Sequence, residues 1–273
     1  MSFERHHAII TGGSSGIGKA LALKLARAGA HVTLIARTPS TLEAARAEIE
    51  LARKGVEQRV LALTADVARA DRVMAAIETA IAQLGPPDML VTSAGIAHPG
   101  HFRELPLSVF EQTMATNYFG SLYSIRAALP AMEARRKGSI VLISSGAGLV
   151  GLYGYTPYSP SKFALRGLAE SLRGELKPYG IHLAIVYPPD TDTPQLQAEN
   201  LTKPLATQMI TATAKTWTAD AVADAILRGV RQKAFAITPG LEMSLLAKLH
   251  SAIAPGFQWY CDRMVAKATK REQ

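Results

Sequence analysis

At 273 residues, 48% of them hydrophobic, the chain has enough apolar material for one large α/β domain or two small ones. The single cysteine, Cys261, excludes an intramolecular disulfide and any cysteine-based zinc site. The net charge of +8 comes from basic residues interspersed with acids, as in Glu43, Arg46, Glu48, Glu50, Arg53 and Lys54, and no aromatic-lined basic groove or finger motif accompanies them, so no nucleic-acid partner is expected.

The start, Met1–His7, is polar and leads straight into an apolar run, so no secretory signal is expected. Short runs rich in branched residues then alternate with longer amphipathic stretches. The predicted strands are Ala8–Thr11, His31–Ala36, Arg59–Thr64, Met89–Thr92, Ser139–Ser144 and His182–Tyr187. Strands that are apolar throughout belong to a parallel sheet covered on both faces. The repeated βα units predict a doubly wound, Rossmann-like α/β fold in a single domain. A capping box, Ser40 with Glu43, predicts the start of the second helix.

The first strand runs into Gly12-Gly13-Ser14-Ser15-Gly16-Ile17-Gly18, which opens a helix. Glycines at such a turn let the backbone approach a pyrophosphate, which the helix N-terminus then stabilises. At the end of the second strand an acidic residue would bond a ribose 2′-hydroxyl, whereas an arginine accommodates a 2′-phosphate. The residues here are Ala36 and Arg37, with Ser14, Ser15 and either Thr38 or Thr41 as helpers, which favours NADPH.

Further along, Ser145 follows the fifth strand, and thirteen residues later comes Tyr158-Ser159-Pro160-Ser161-Lys162. On a helix Tyr158 and Lys162 share a face, and Pro160 requires that the helix begin close by. An ammonium beside a phenol lowers its pKa from about 10 toward neutrality, where it can exchange a proton with a substrate oxygen.

Together, the glycine turn, Ser145, Tyr158 and Lys162 resemble the short-chain dehydrogenase/reductase family. The resemblance implies that Tyr158 protonates a ketone, that Lys162 tunes it and holds the nicotinamide ribose, and that Ser145 hydrogen-bonds the carbonyl oxygen. It also implies that Asn117 supports a proton-relay water, and that Asp66 and Val67 contact the adenine. The family's usual Asn-Asn-Ala-Gly turn is here Thr92-Ser93-Ala94-Gly95, an altered but working version. Pro188, Thr191 and Thr193 complete the implied cofactor contacts. Such proteins often pair through long helices, here near Phe110–Arg136 and Tyr158–Lys177, which implies a homodimer or homotetramer. His98 and His101 lie near the expected cleft mouth without a carboxylate at ligand spacing, so no metal is expected.

Residues 1–240 are read as this domain, with 188–215 as a substrate loop containing one short helix. Within the family, Gly151–Tyr155, Phe163–Glu170, Tyr187–Pro194 and Thr202–Leu205 resemble the branch that reduces long-chain sphingoid-base ketones. That resemblance implies a substrate with an ammonium next to the ketone, for which Asp190 and Asp192 are the expected partners, unless both serve only to form the turn. A steroid, a retinoid or a 3-ketoacyl thioester remains as an alternative substrate, and a catalytically silent NADP(H) sensor as an alternative function. The extension 241–273 is apolar and basic, expected to break in two at Pro255-Gly256. It suits either a membrane surface or packing on the protein. No apolar run reaches the ~18 residues of a span, so the protein is expected in the cytoplasm, peripheral on the cytosolic face of a membrane.

Overall fold

A computed structural model describes residues 3–212 and 214–272, so Met1 and Ser2 of the polar start lie outside the described residues. The chain runs β1 (His7–Thr11), α1 (Gly16–Arg27), β2 (His31–Ala36), α2 (Pro39–Leu51), β3 (Val60–Thr64), α3 (Ala70–Leu84), β4 (Met89–Thr92), α4 (Leu107–Met114), α5 (Gly120–Arg135) and β5 (Gly138–Ile143). It continues through α6 (Tyr158–Leu176), β6 (Ile181–Val186), β7 (Thr191–Asp192), α7 (Pro194–Asn200), α8 (Leu205–Thr211), β8 (Trp217–Thr218), α9 (Ala219–Arg231), β9 (Ala236–Ile237) and α10 (Leu241–Glu272). All six predicted strands form, with ends shifted by a residue or less.

Successive residues of a strand point to opposite faces, and here both faces are covered. Ala8 and Ile10 of β1 pack with Leu21 and Leu25 of α1, Leu42 and Ile49 of α2, and Val222 and Ile226 of α9. Between them Ile9 turns the other way, into a layer with Ile77 of α3, Ile125 and Met132 of α5, and Ala169 of α6. Each fully buried Leu or Ile contributes about 1.5–3 kcal/mol, so the apolar runs that predict the strands also hold the three layers together. The strand order is β3-β2-β1-β4-β5-β6-β9, parallel throughout. Its switch point lies between β1 and β4, where Thr11 pairs with Thr92, and a crevice opens beyond their carboxyl ends.

Several local expectations need correcting. α2 starts at Pro39 with Thr38 as its cap, because a proline fits the first helical position, where its missing N–H has no partner to lose. Glu43 therefore does not reach back to a capping residue; it receives the Arg46 guanidinium instead, 2.9 Å away. The long helix expected near Phe110–Arg136 forms from Leu107 to Arg135 through α4 and α5, but is not α-helical throughout. It passes through one π-helical turn, Ala115–Phe119, with Asn117 at its centre. The substrate loop holds two short helices rather than one, since Thr193 caps α7 at the Leu196 N–H and Pro194 sets its first turn.

The C-terminal stretch is one helix of 32 residues that runs through Pro255. The proline deprives the Ser251 carbonyl of its helical donor and crowds it, but this stretch is exposed, so the carbonyl is open to water rather than left buried without a partner. One face of α10 packs on the domain through Met243, Leu246 and Ala247. The other carries Leu241, Leu245, Leu249 and Ile253 at four-residue spacing in solvent. No helix of the described residues is long and apolar enough to cross a membrane.

Candidate active site

A continuous cleft runs along the carboxyl ends of the strands, from the glycine turn at one end to Tyr158 at the other. Gly12 has φ +69°, and a Cβ there would stand 2.6 Å from the Ala94 backbone nitrogen, so only glycine lets the β1 and β4 turns meet. Gly16, at φ +52°, opens α1 after Ser15, whose side chain makes no cap bond, so that side chain does not satisfy the helix's first N–H groups beside the cleft. A shallow glycine cradle at a helix N-terminus fits the pyrophosphate of a dinucleotide.

At the end of β2, Ala36 and Arg37 line the same cleft. Arg37 is exposed, and no carboxylate among the described residues lies within ion-pair distance of it. Asp66, Val67, Ser93, Ala94, Gly95, Pro188, Thr191 and Thr193 all line the cleft as well. Gly18 does not: it sits beneath the turn, where a Cβ would strike the Gly12 carbonyl. Nor does Thr41, whose hydroxyl donates to the Thr38 carbonyl at 3.1 Å within the first turn of α2.

The far end is built from β5, α6 and the turn between them. Ser145 follows β5 in an extended conformation, and its Oγ accepts from the Ala147 N–H at 3.2 Å. Tyr158 is the first residue of α6, which places Pro160 in the first turn where it is tolerated. Lys162 lies one turn on, 5% exposed, with Nζ 5.4 Å from the Tyr158 ring centre and donating to the Ile143 carbonyl at 3.0 Å. Asn117 is fully buried and does not face the cleft. Its Oδ1 accepts from the Ile96 N–H at 2.8 Å, while Nδ2 donates to the Ile96 carbonyl at 3.0 Å and to Ser161 Oγ at 2.9 Å. The asparagine side chain thus ties the β4 turn to α6, with both amide N–H donors and one lone pair of its oxygen taken by protein.

Electrostatics at this end depart from the expectation that Lys162 brings the phenol toward neutrality. Burial pushes the Tyr158 hydroxyl well above its ordinary value, the negative charge of Glu199 adds to this, and Ser145 and Gln195 oppose it. Burial also pulls Lys162 down to about 8, against the opposing pull of Glu199. Desolvation outweighs the ammonium–phenol attraction because both groups are enclosed together.

Of the two aspartates expected to meet an ammonium, Asp190 lines the cleft. Asp192 is exposed and turned away, accepting from Gln197 Nε2 at 3.3 Å, because successive side chains of the short strand β7 alternate: Thr191 points in and Asp192 out. His101 bonds Tyr153 Oη at 3.3 Å, and His98 is exposed. The acid that the sequence reading missed is Glu199, near the end of α7 and 7% exposed. Tyr155 Oη donates to its Oε2 at 2.7 Å and Gln195 Nε2 to its Oε1 at 2.8 Å. The i,i+4 spacing of Gln195 and Glu199 was a readable sign of a shared helix face; the inward turn of that face was not.

Comparison with known proteins agrees with this construction. The family described as short chain dehydrogenase matches residues 6–204. A 3-ketodihydrosphingosine reductase of Bos taurus is 44% identical over 250 residues, covering 91% of this chain and 75% of that protein. One from Dictyostelium discoideum is 38% identical over 274 residues, covering 95% and 82%. Among solved structures, a short chain dehydrogenase/reductase from Burkholderia phymatum in complex with NAD superposes with a TM-score of 0.80 at 23% identity, covering 91% of this chain and 93% of the other. A short chain dehydrogenase from Mycobacterium paratuberculosis bound to NAD does so at 0.77 and 26%, covering 87% and 97%. With the matched span embracing the glycine turn, the β5 serine and the tyrosine–lysine pair alike, this chain belongs to the short-chain dehydrogenase family.

Proposed function

We propose that this protein is an NADPH-dependent reductase that converts 3-ketodihydrosphingosine to sphinganine. The observation that carries the chemistry is the convergence of Ser145, Tyr158 and Lys162 at one end of a cleft whose other end is the glycine turn. The substrate follows the relatives, named 3-ketodihydrosphingosine reductase or 3-dehydrosphinganine reductase in animals, a slime mould and a plant.

When bound along the cleft, NADPH supplies the hydride that reduces the carbonyl carbon. The residues present do the rest. Ser145 Oγ hydrogen-bonds the ketone oxygen, and the Tyr158 hydroxyl gives that oxygen its proton as negative charge builds there. A phenol raised by burial stays protonated at neutral pH, and a secondary alkoxide is a stronger base than a phenolate, so the transfer runs downhill. Lys162 then faces the phenolate that remains, and Asn117 holds α6 and the β4 turn in register.

The preference for NADPH rests on Arg37 beside Ala36. Arg37→Ala is expected to lower kcat/KM with NADPH by about 10- to 100-fold, the worth of a charge-assisted contact, and to change NADH kinetics far less. Equal losses with both cofactors would remove Arg37 from 2′-phosphate recognition.

A long acyl chain enters from a lipid phase. The exposed stripe Leu241, Leu245 and Leu249 starts beside the cleft, since Met243 of the same helix packs against Gly146, the neighbour of Ser145. Trp259 is exposed farther along, with Lys248, Arg263, Lys267, Lys270 and Arg271 nearby in sequence. We therefore place α10 on an anionic bilayer surface on the cytosolic side, each basic residue near the lipid adding about 1 kcal/mol. Exposed Phe119 and Phe163, at the start of α5 and on α6, suit pairing of two copies through those helices, which light scattering tests.

The deciding experiment follows NADPH oxidation with 3-ketodihydrosphingosine in anionic vesicles, beside NADH and a ketoacyl thioester. NADPH-dependent turnover of the sphingoid ketone, with the protein floating with the vesicles, is the expected result. Turnover of the thioester alone would discard the lipid substrate. Tight NADPH binding with no turnover of any ketone would leave the silent sensor.

A further inference from the structure

Resting on the substrate reading above, we infer that Glu199 is the residue that binds the ammonium group of the substrate, and so selects a 2-amino ketone over a plain one. Three observations carry the inference. The first is location: Glu199 lines the same cleft as Tyr158, and Tyr155, which bonds the Glu199 carboxylate, has its ring centre 5.7 Å from that of Tyr158. In the substrate the ammonium sits on the carbon next to the carbonyl. Its partner must therefore lie within a few ångströms of the oxygen that meets Tyr158.

The second is a buried carboxylate with no cation in contact. A buried carboxylate is costly unless it is paired and hydrogen-bonded. Glu199 has two neutral donors, Tyr155 Oη and Gln195 Nε2, one on each oxygen. Among the described residues no lysine, arginine or histidine lies within 4.0 Å of it, and the nearby Lys203 ammonium is bound to Asn200 Oδ1 at 2.8 Å. Each carboxylate oxygen keeps a free acceptor direction. The Lys162 ammonium feels this charge only from beyond 4.0 Å, so the carboxylate has a place for a cation in direct contact, and the cleft is where one arrives.

The third is preorganisation. The Tyr155 hydroxyl is 44 residues away in sequence, and Gln195 is one helical turn back. Together they fix both oxygens before any ligand binds, as a recognition site requires. Asp190 shares the cleft but is less buried, and its influence on Tyr158 ranks below that of Glu199.

The test compares Glu199→Gln and Asp190→Asn with the unaltered protein in two assays. One is turnover of 3-ketodihydrosphingosine and of its deamino analogue, a ketone of equal chain length. The other is binding of sphinganine in the presence of NADP+. Glutamine keeps an oxygen for Tyr155, so turnover of the deamino ketone reports that the fold and the proton donor persist. The expected result for Glu199→Gln is that preference for the amino ketone over the deamino ketone falls by about 10- to 100-fold, with sphinganine affinity falling in parallel. Asp190→Asn is expected to leave the preference in place. Equal loss for both ketones, an unchanged preference, or a loss confined to Asp190→Asn each overturns the inference. Failure of the substrate reading looks different: the unaltered protein then turns over neither sphingoid ketone while Glu199 still governs sphinganine binding. If sphinganine also fails to bind, both fall.

Discussion

Replacing Tyr158 with phenylalanine is expected to lower kcat by about 10²- to 10⁴-fold, the usual contribution of a positioned general acid. The substitution removes one oxygen and leaves the ring, which packs with Ala147, Tyr155, Leu152 and Ala97. Folding and the shape of the cleft therefore survive, and NADPH should still protect the variant against thermal unfolding. The loss belongs in kcat because the proton moves only as the alkoxide forms, an interaction made in the transition state rather than on binding. Undiminished turnover would mean that another group delivers the proton, and Tyr155 is poorly placed to do so. Its hydroxyl already donates to Glu199, and burial and that same charge push it well above the ordinary phenol value.

The features that were legible in the sequence are those whose geometry is local. Gly12 and Gly16 stand out because a backbone with positive φ tolerates little else, and Tyr158 and Lys162 because one helical turn brings them together whatever surrounds them. The strands were equally plain, since a sheet covered on both faces needs apolar residues at every position. Their alternation with helices predicts a doubly wound sheet, and the strand order of the structure puts its switch point between β1 and β4.

What was hidden depends on partners far along the chain or on burial. Glu199 lies in a stretch without clear period, and only the docking of α7 beneath Tyr155 turns it inward. Asp190 and Asp192 look equivalent as letters; Asp192 lies in a two-residue strand paired with Trp217 and Thr218 and faces solvent, whereas Asp190 precedes that strand and lines the cleft. Asn117 was read as a support for water, whereas it sits in a π-helical turn and is bonded to Ile96 and Ser161. Its position was legible, but not the tie it makes. Pro255 misled in the opposite direction. An interior proline costs a helix one hydrogen bond and crowds the carbonyl four residues back, yet this helix runs through one, where the freed carbonyl is open to water.

The same distinction decides how Lys162 should behave. Spacing alone suggests an ammonium that acidifies the phenol, but enclosure acts on the ammonium too and brings it to about 8. Below that pH Lys162 is charged and opposes the negative charge left on Tyr158; above it the charge is lost. Turnover in the direction of ketone reduction should therefore decline as pH rises through about 8, by loss of a single proton. Lys162→Met, which keeps the length but not the charge, should cost at least about 10²-fold at neutral pH, because the phenolate would then form in an enclosed site with no cation against it. The Tyr158→Phe variant separates the two possible owners of the alkaline limb. Its residual activity has no phenol to ionise, so a limb that persists near the same pH belongs to Lys162. A limb that disappears belongs to the tyrosine, and the lysine would then act only by holding its neighbours in place through the Ile143 carbonyl.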